Sequence, residues 1–484
     1  MKTGAQIPNP EDLSLGQASH KSLASGGEPI DWIRPILLVG VTICLLLSVA
    51  LFNGYPTVFS DTGSYLLTGA FLIAFEPFRA PGYSIFTMAS SLGITAWFTV
   101  LVQAVIVVYV LRETCDYLIG GGRKLTDVCL VASVCVLTVL TCLPWLVSLL
   151  MPDVFAGILF LSAFLLAFAN DLTLMRRIML AGIVTLSVAS HMSLFPVAAV
   201  FIVLVLGLKL AWRRQDAELP ARSALAWLLV PILAAGLWTM NLNREMGLGF
   251  RLAPSRNTFL LARLFGNGMA ADYLRENCSS QPLIACRYLS NLPQTPEQFL
   301  FWHPLLRDFK GHEDEMDAMT RGIILAHPLR FVANSTNGTL LQLASISTGD
   351  EIRTYRAPEW NNSAFERVFP RDFQTLSNDR QFRGRLLPLA DGVARIQIAV
   401  FWLSVVACLL LARTGRFARV NQFFYSALIF LLINAAICAT FSGVYDRYQN
   451  RVAWIIPFCL TAYMSCLARE WKRSAVLSQD PACP

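Results

Sequence analysis

Long apolar runs alternate with short polar stretches along most of this chain. The first begins at Trp32 and ends at Phe52. Others follow at about 95–117, 126–149, 153–169, 177–190, 193–212, 223–243, 392–412, 420–441 and 452–469. A helix needs about 20 apolar residues to cross a bilayer, so the pattern predicts about ten transmembrane helices, seven of them within 32–243 and three within 392–469. The first outer loop, 53–94, carries two apolar pieces, SYLLTGAFLIAF and PGYSIFTMASSLGI, each too short to span. They predict interfacial or re-entrant helices. The segment 244–391 is polar and rich in Pro, Asn and Arg, and predicts one mostly helical periplasmic domain. Its clearest helix is EDEMDAMTRGIILA; a second, roughly Leu329 to Ile346, has an apolar face suited to the membrane surface. Residues 1–31 and 470–484 read as polar tails.

Composition agrees with that pattern. Of 484 residues, 55% are hydrophobic and only 15% charged, where a soluble domain averages about 25% charged. The expected class is an all-α polytopic membrane protein. The net charge of +7 does not indicate nucleic acid, because the basic residues sit in short loops beside apolar runs. Arg112, Arg123 and Lys124 follow the second run, Arg176 and Arg177 the fourth, and Arg213, Arg214 and Arg222 the sixth. Arg413, Arg416 and Arg419 follow the eighth, and Arg469, Lys472 and Arg473 the last. All fall on one side, the cytoplasmic side by the positive-inside rule, which also places both termini there. No short apolar core with a cleavage site marks the first thirty residues as a signal peptide. Most of the twelve cysteines lie inside apolar runs. Cys278 and Cys286 alone lie in the polar outer loop, where an oxidising compartment predicts a disulfide.

Candidate chemistry collects on the opposite face. The first outer loop supplies Asp61, Glu76 and Arg79. The turn SLLMPDVF supplies Asp153, VASHMSLF supplies His191, and GVYDRYQNRVAW supplies Asp446, Arg447 and Arg451. Four separate segments thus present ionisable groups at one membrane depth. Each has a plainer explanation. Asp61 fits a helix cap in DTGSY, Asp153 fits the start of a helix dipole, and His191 fits a polar turn. Arg447 and Arg451 fit an anchor for the last run, although a basic pair on the outer side runs against the positive-inside rule. No Walker loop, G-x-S-x-G or H-E-x-x-H is present.

At these residues the chain resembles the C-type polytopic glycosyltransferases, which use polyprenyl-phosphate-linked sugars and include the protein mannosyltransferases and the bacterial aminoarabinose transferase. FSDTGSYL and RAPGYSIF resemble the acidic first loop and its membrane-dipping helix. MPDVFAGILFLSAFLLAF resembles the acidic start of the fourth span, AHPLRFVANS the helix leading back to the membrane, and YDRYQNRVAWIIPF the segment before the last span. Asp61 stands alone, without the paired acids of the protein mannosyltransferases. The resemblance implies an enzyme of the bacterial inner membrane that transfers a sugar to an envelope glycan, lipid or protein acceptor. It implies Asp61 as catalytic base or acceptor-orienting group, and Arg79, Tyr83, Asp153, His191, Arg447 and Arg451 as substrate ligands. It implies no certain cofactor, and leaves Asp153 as a ligand of either a divalent metal or the sugar. A transporter or flippase would need charge at mid-membrane, where these runs have almost none. A non-catalytic scaffold is the other alternative; it expects the outer charges apart and solvated.

Overall fold

The computed structural model describes residues 33–76, 78–212, 222–353 and 358–477. The expected tails at 1–31 and beyond 477, together with Arg213 and Arg214, lie outside them. Among the described residues the regular elements are helices, and the only β-type pairing is an isolated bridge between Thr57 and Leu149. The chain is an all-α membrane protein. Five helices are long and apolar enough to cross a bilayer: Ala96–Ile119, Leu225–Glu245, Leu387–Arg413, Ala418–Phe441 and Asp446–Lys472. Helices cover the other apolar runs too, but they are shorter or interrupted. The run at 126–149 breaks into Arg123–Leu140 and Leu143–Ser148. Pro144 lacks the N–H that a continuous helix would need there. The Thr141 hydroxyl donates to the Leu137 carbonyl and accepts from the Leu143 N–H across the break.

The bundle has two chemically distinct ends. At one, Arg112 pairs with Asp127, Arg176 with Glu113, and Arg416 with Glu470, while Arg419 and Arg469 donate to the last carbonyls of Ala96–Ile119. Asp61, Arg79, Asp153, His191, Arg447 and Arg451 gather at the other. Between the ends runs Val154–Phe168, buried almost throughout. Its Phe160 packs on Phe201, Phe423 and Phe430.

Two features of the outer segments go beyond the expectations. The apolar pieces of the first loop do form helices, Thr62–Phe71 and Pro81–Ser91. Residues 62–68 are all buried, while Phe71, Leu72 and Ile73 just beyond them are exposed. Small residues permit this burial, since a Cβ on Gly69 would meet the Ser84 carbonyl oxygen at 2.4 Å. The second feature concerns 244–391, whose two parts pack on different cores. Its first part has a core of its own, including Leu261, Phe265, Phe299 and Ile323, and the structure joins Cys278 to Cys286 there, with Cα atoms 5.6 Å apart. Among the described residues its second part has no separate core. Phe365, Phe369 and Leu376 complete the core of the membrane bundle, and Pro328–Ala344 packs along Ala418–Phe441, with Gly338 against Ala439. Gln381 then clasps Val58, accepting from its N–H and donating to its carbonyl. That clasp fixes the segment leading to Asp61.

Candidate functional site

Of its sequence neighbours, Ser60 reaches the Asp61 carboxylate, its hydroxyl donating to Oδ1 at 3.4 Å. The Thr57 N–H donates to the Ser148 carbonyl and the Leu150 N–H to the Thr57 carbonyl, each at 2.9 Å, so the first loop is tied to the segment that ends at Asp153. The turn before Thr62–Phe71 is closed by Thr62, whose hydroxyl accepts from the Phe59 N–H and donates to the Leu150 carbonyl. Asp61 stands at the N-cap position but makes no capping bond, which sets the cap explanation aside. Its carboxylate turns to arginine instead: Arg79 Nη2 lies 2.5 Å from Oδ1, and Arg447 Nη2 lies 3.7 Å from Oδ2. Arg79 also binds Glu76 at 3.0 Å.

The second half of the cluster lies deeper. Trp454 sits over Gly157, where a Cβ would be 2.4 Å from the ring, and seats the helix Asp446–Ala453 on the start of Val154–Phe168. This brings Arg451 Nη1 to 4.0 Å from Asp153 Oδ1, both side chains being at most 1% exposed. Arg451 Nη2 donates to Ser193 Oγ and Asn434 Oδ1. Both Asp153 oxygens, and Nε and Nη1 of Arg451, have no hydrogen-bond partner among the described residues. Like Asp61, Asp153 occupies an N-cap position without capping.

Beside these pairs is a cavity of about 310 Å³, lined by Tyr65, Arg79, His191, Ser193, Arg447 and Tyr448, and roofed by residues 252–260 of the outer segment. The guanidinium of Arg447 lies over the rings of Phe59 and Tyr448, at 4.3 and 5.2 Å. Those contacts hold it in place while leaving its N–H groups unbonded among the described residues. The His191 Nδ1 accepts from the Ser193 N–H. Burial, with Arg451, Arg447 and Arg79 nearby, pushes the pKa of His191 well below the usual imidazole range, so the ring is neutral.

Not every expected ligand reaches the cavity. Asp61, Asp153 and Arg451 lie behind its wall. Tyr83 is fully buried, bonds Gln103 at 2.8 Å and packs against Tyr65 and Phe86. The PGY tripeptide is a docking device: Pro81 opens the helix, and Gly82 lets it approach Ala189, whose carbonyl oxygen a Cβ would meet at 2.4 Å. Tyr65, Ser193, Tyr448 and Arg256 line the cavity and carried no signal in the sequence. A divalent metal does not suit Asp153. The neighbouring group is a guanidinium, and no set of three potential metal ligands occurs among the described residues. No protein-family model matches the chain, and neither a curated protein nor a solved structure is similar to it.

Proposed function

We propose that the protein is a membrane glycosyltransferase that moves a sugar from a polyprenyl-phosphate donor to an envelope acceptor on the outer side of a bacterial inner membrane. In this reading the chain crosses about ten times with both termini in the cytoplasm. One observation carries the proposal. Segments from the two ends of the chain bring Arg79 and Arg447 into the wall of one cavity, with the Asp61 carboxylate held directly behind both. A phosphate leaving group needs fixed positive charge, and the planar fork of arginine provides it. Transfer also needs a base.

The steps follow from those two requirements. The donor phosphate takes up the N–H groups of Arg447 and competes with Asp61 for Arg79. Asp61, partly released, accepts the proton of an acceptor hydroxyl as its oxygen bonds the anomeric carbon. The bond from that carbon to the phosphate oxygen breaks, and polyprenyl phosphate leaves with the electron pair. The apolar walls beside the arginines, Phe195, Phe259 and Phe441 among them, suit the isoprenoid segment next to the phosphate. Burial of the charges in one cluster favours this reading over a scaffold with solvated outer charges.

The test is Asp61→Asn in a strain deleted for the gene. It keeps size and removes the base, so envelope glycan product measured by mass spectrometry should fall at least about a hundredfold at equal expression. Full restoration of product by this variant sinks the catalytic role.

A further inference from the structure

A second, larger cavity of about 740 Å³ adjoins the first, sharing Phe78, Ser255 and Arg256 as a common wall. It lies on the outer segment, and its side chains differ in kind from those of the candidate site. Arg251, Arg307 and Lys310 line it. None of the three makes an ion pair or a side-chain hydrogen bond with a described residue. Arg256 is committed elsewhere, its Nη1 held by Asp314 at 2.6 Å and Asp317 at 3.1 Å. It keeps that place with a left-handed backbone, at φ 49°, which a side chain of this size rarely adopts. The shared wall is therefore fixed, while the three cations beyond it have no direct ion-pair partner among the described residues. Glu313 is the only carboxylate in the lining. Its oxygen accepts from the Gly311 N–H, and the cation it acts on is Arg256 of the shared wall.

The same groove presents open aromatic surface. Trp302 is 74% exposed and Phe301 54% exposed, side by side along the groove. Flat aromatic faces beside unpaired cations suit a ligand with apolar C–H faces and negative charge, each class of group meeting its complement. Acidic carbohydrate has both, since pyranose rings expose C–H faces and uronate or phosphate substituents carry charge. A lone inorganic anion would leave the aromatics uncovered, and a neutral glycan would leave the cations unmatched.

We infer that this groove binds an anionic carbohydrate and that it is the acceptor subsite, the word acceptor resting on the transfer reaction proposed above. The carbohydrate is either an acidic polysaccharide or the headgroup of an acidic glycolipid. A chain lying along Trp302 and Phe301 ends at the wall of Ser255 and Arg256, beyond which lie Arg79 and Arg447. The groove thus leads an acceptor hydroxyl toward the donor phosphate.

The experiment uses the full-length protein in nanodiscs, with binding read by Trp fluorescence. The probes are an oligogalacturonate, a maltooligosaccharide of equal length and inorganic phosphate. The oligogalacturonate should bind the natural protein and Asp61→Asn equally well. Arg307→Gln/Lys310→Gln should weaken it at least about tenfold, and Trp302→Ala about fivefold. Both sites of change are solvent-facing, and unchanged thermal melting shows that the variants fold. Equal affinity for the neutral glycan, tight binding of phosphate alone, or indifference to both variants overturns the assignment. A change confined to association with anionic phospholipid vesicles, with no oligogalacturonate bound, makes the groove a membrane contact and overturns it too. A phosphoglycolipid presented in the nanodisc and binding tenfold tighter than the free oligosaccharide assigns the glycolipid source; the reverse order assigns the polysaccharide. Full glycan product from Asp61→Asn removes Asp61 as the base, while loss of oligogalacturonate binding removes the groove, so the two failures are told apart.

Discussion

Asp61 with Arg79 and Asp153 with Arg451 stand at the same end of one bundle, yet they are built to different rules. The first pair touches at 2.5 Å, keeps slight exposure, and has Arg447 as a further cation. It can open, because water or a ligand in the adjoining cavity can replace either partner. The second pair is sealed and 4.0 Å apart, with four polar atoms unpartnered among the described residues. At an effective dielectric near 20, two unit charges at that distance attract by about 4 kcal/mol, against a burial cost of several kcal/mol for each ion. Such a pair contributes little net stability. Its charge acts on the first pair, setting the field in which Arg447 meets its ligand. One carboxylate is placed to react and the other to stay fixed.

Four measurements can break or sharpen that contrast. The largest effect belongs to the sealed pair. Asp153→Asn or Arg451→Gln leaves a buried charge alone and should destabilise by roughly 3–5 kcal/mol, seen as a fall in apparent Tm in detergent. The double variant should lose at least about 1 kcal/mol less than the sum of the singles; simple additivity removes the coupling. Next comes Asp61→Asn. The hundredfold loss of product given above equals about 2.7 kcal/mol of barrier, and it should leave apparent Tm nearly unchanged. A melting loss as large as that of Asp153→Asn would erase the distinction between the two pairs.

Arg447→Lys keeps the charge and loses the fork, so product formation should fall roughly tenfold, about 1.4 kcal/mol. Wild-type rates in that variant would assign Arg447 to packing over Phe59 alone. The smallest effect is set by pH. The folded pKa of His191 is depressed, so below the unfolded value near 6.5 the unfolded chain binds a proton that the folded chain refuses. Stability present above that value is lost as pH falls. Going from pH 7.5 to 6 should cost roughly 0.8 kcal/mol, and His191→Gln should flatten the slope by that amount. An unchanged slope means the ring is already solvated and chargeable.

The convergence of these groups was legible in the sequence because apolar run lengths and Lys/Arg placement decide which loops share an end. That logic placed Asp61, Asp153, His191, Arg447 and Arg451 together without any contact being known. It could not say which carboxylate meets which arginine, since that depends on helix rotation and on close approaches such as Trp454 over Gly157. That Tyr83 lies away from the cavity was hidden for the same reason. Tyr65 and Tyr83 pack edge to face, and the Gly82 contact with Ala189 decides which of them reaches the cavity. The divided outer segment was equally hidden, because Phe365 and Phe369 look alike in sequence whether they bury against their own domain or against the bundle.

The Asp61–Arg447 contact has a consequence for biogenesis. Synthesis runs from the N-terminus, so Asp61 and Arg79 are made with the first outer loop and can pair at once. Asp153 follows into its helix with no cation yet made to face it. Arg447 and Arg451 arrive only with the last outer turn. Until then the bundle holds an uncompensated carboxylate, and contacts between such distant parts of a chain form late. The cluster is therefore completed last, when the segment carrying Arg447 and Arg451 joins the one carrying Asp61 and Arg79.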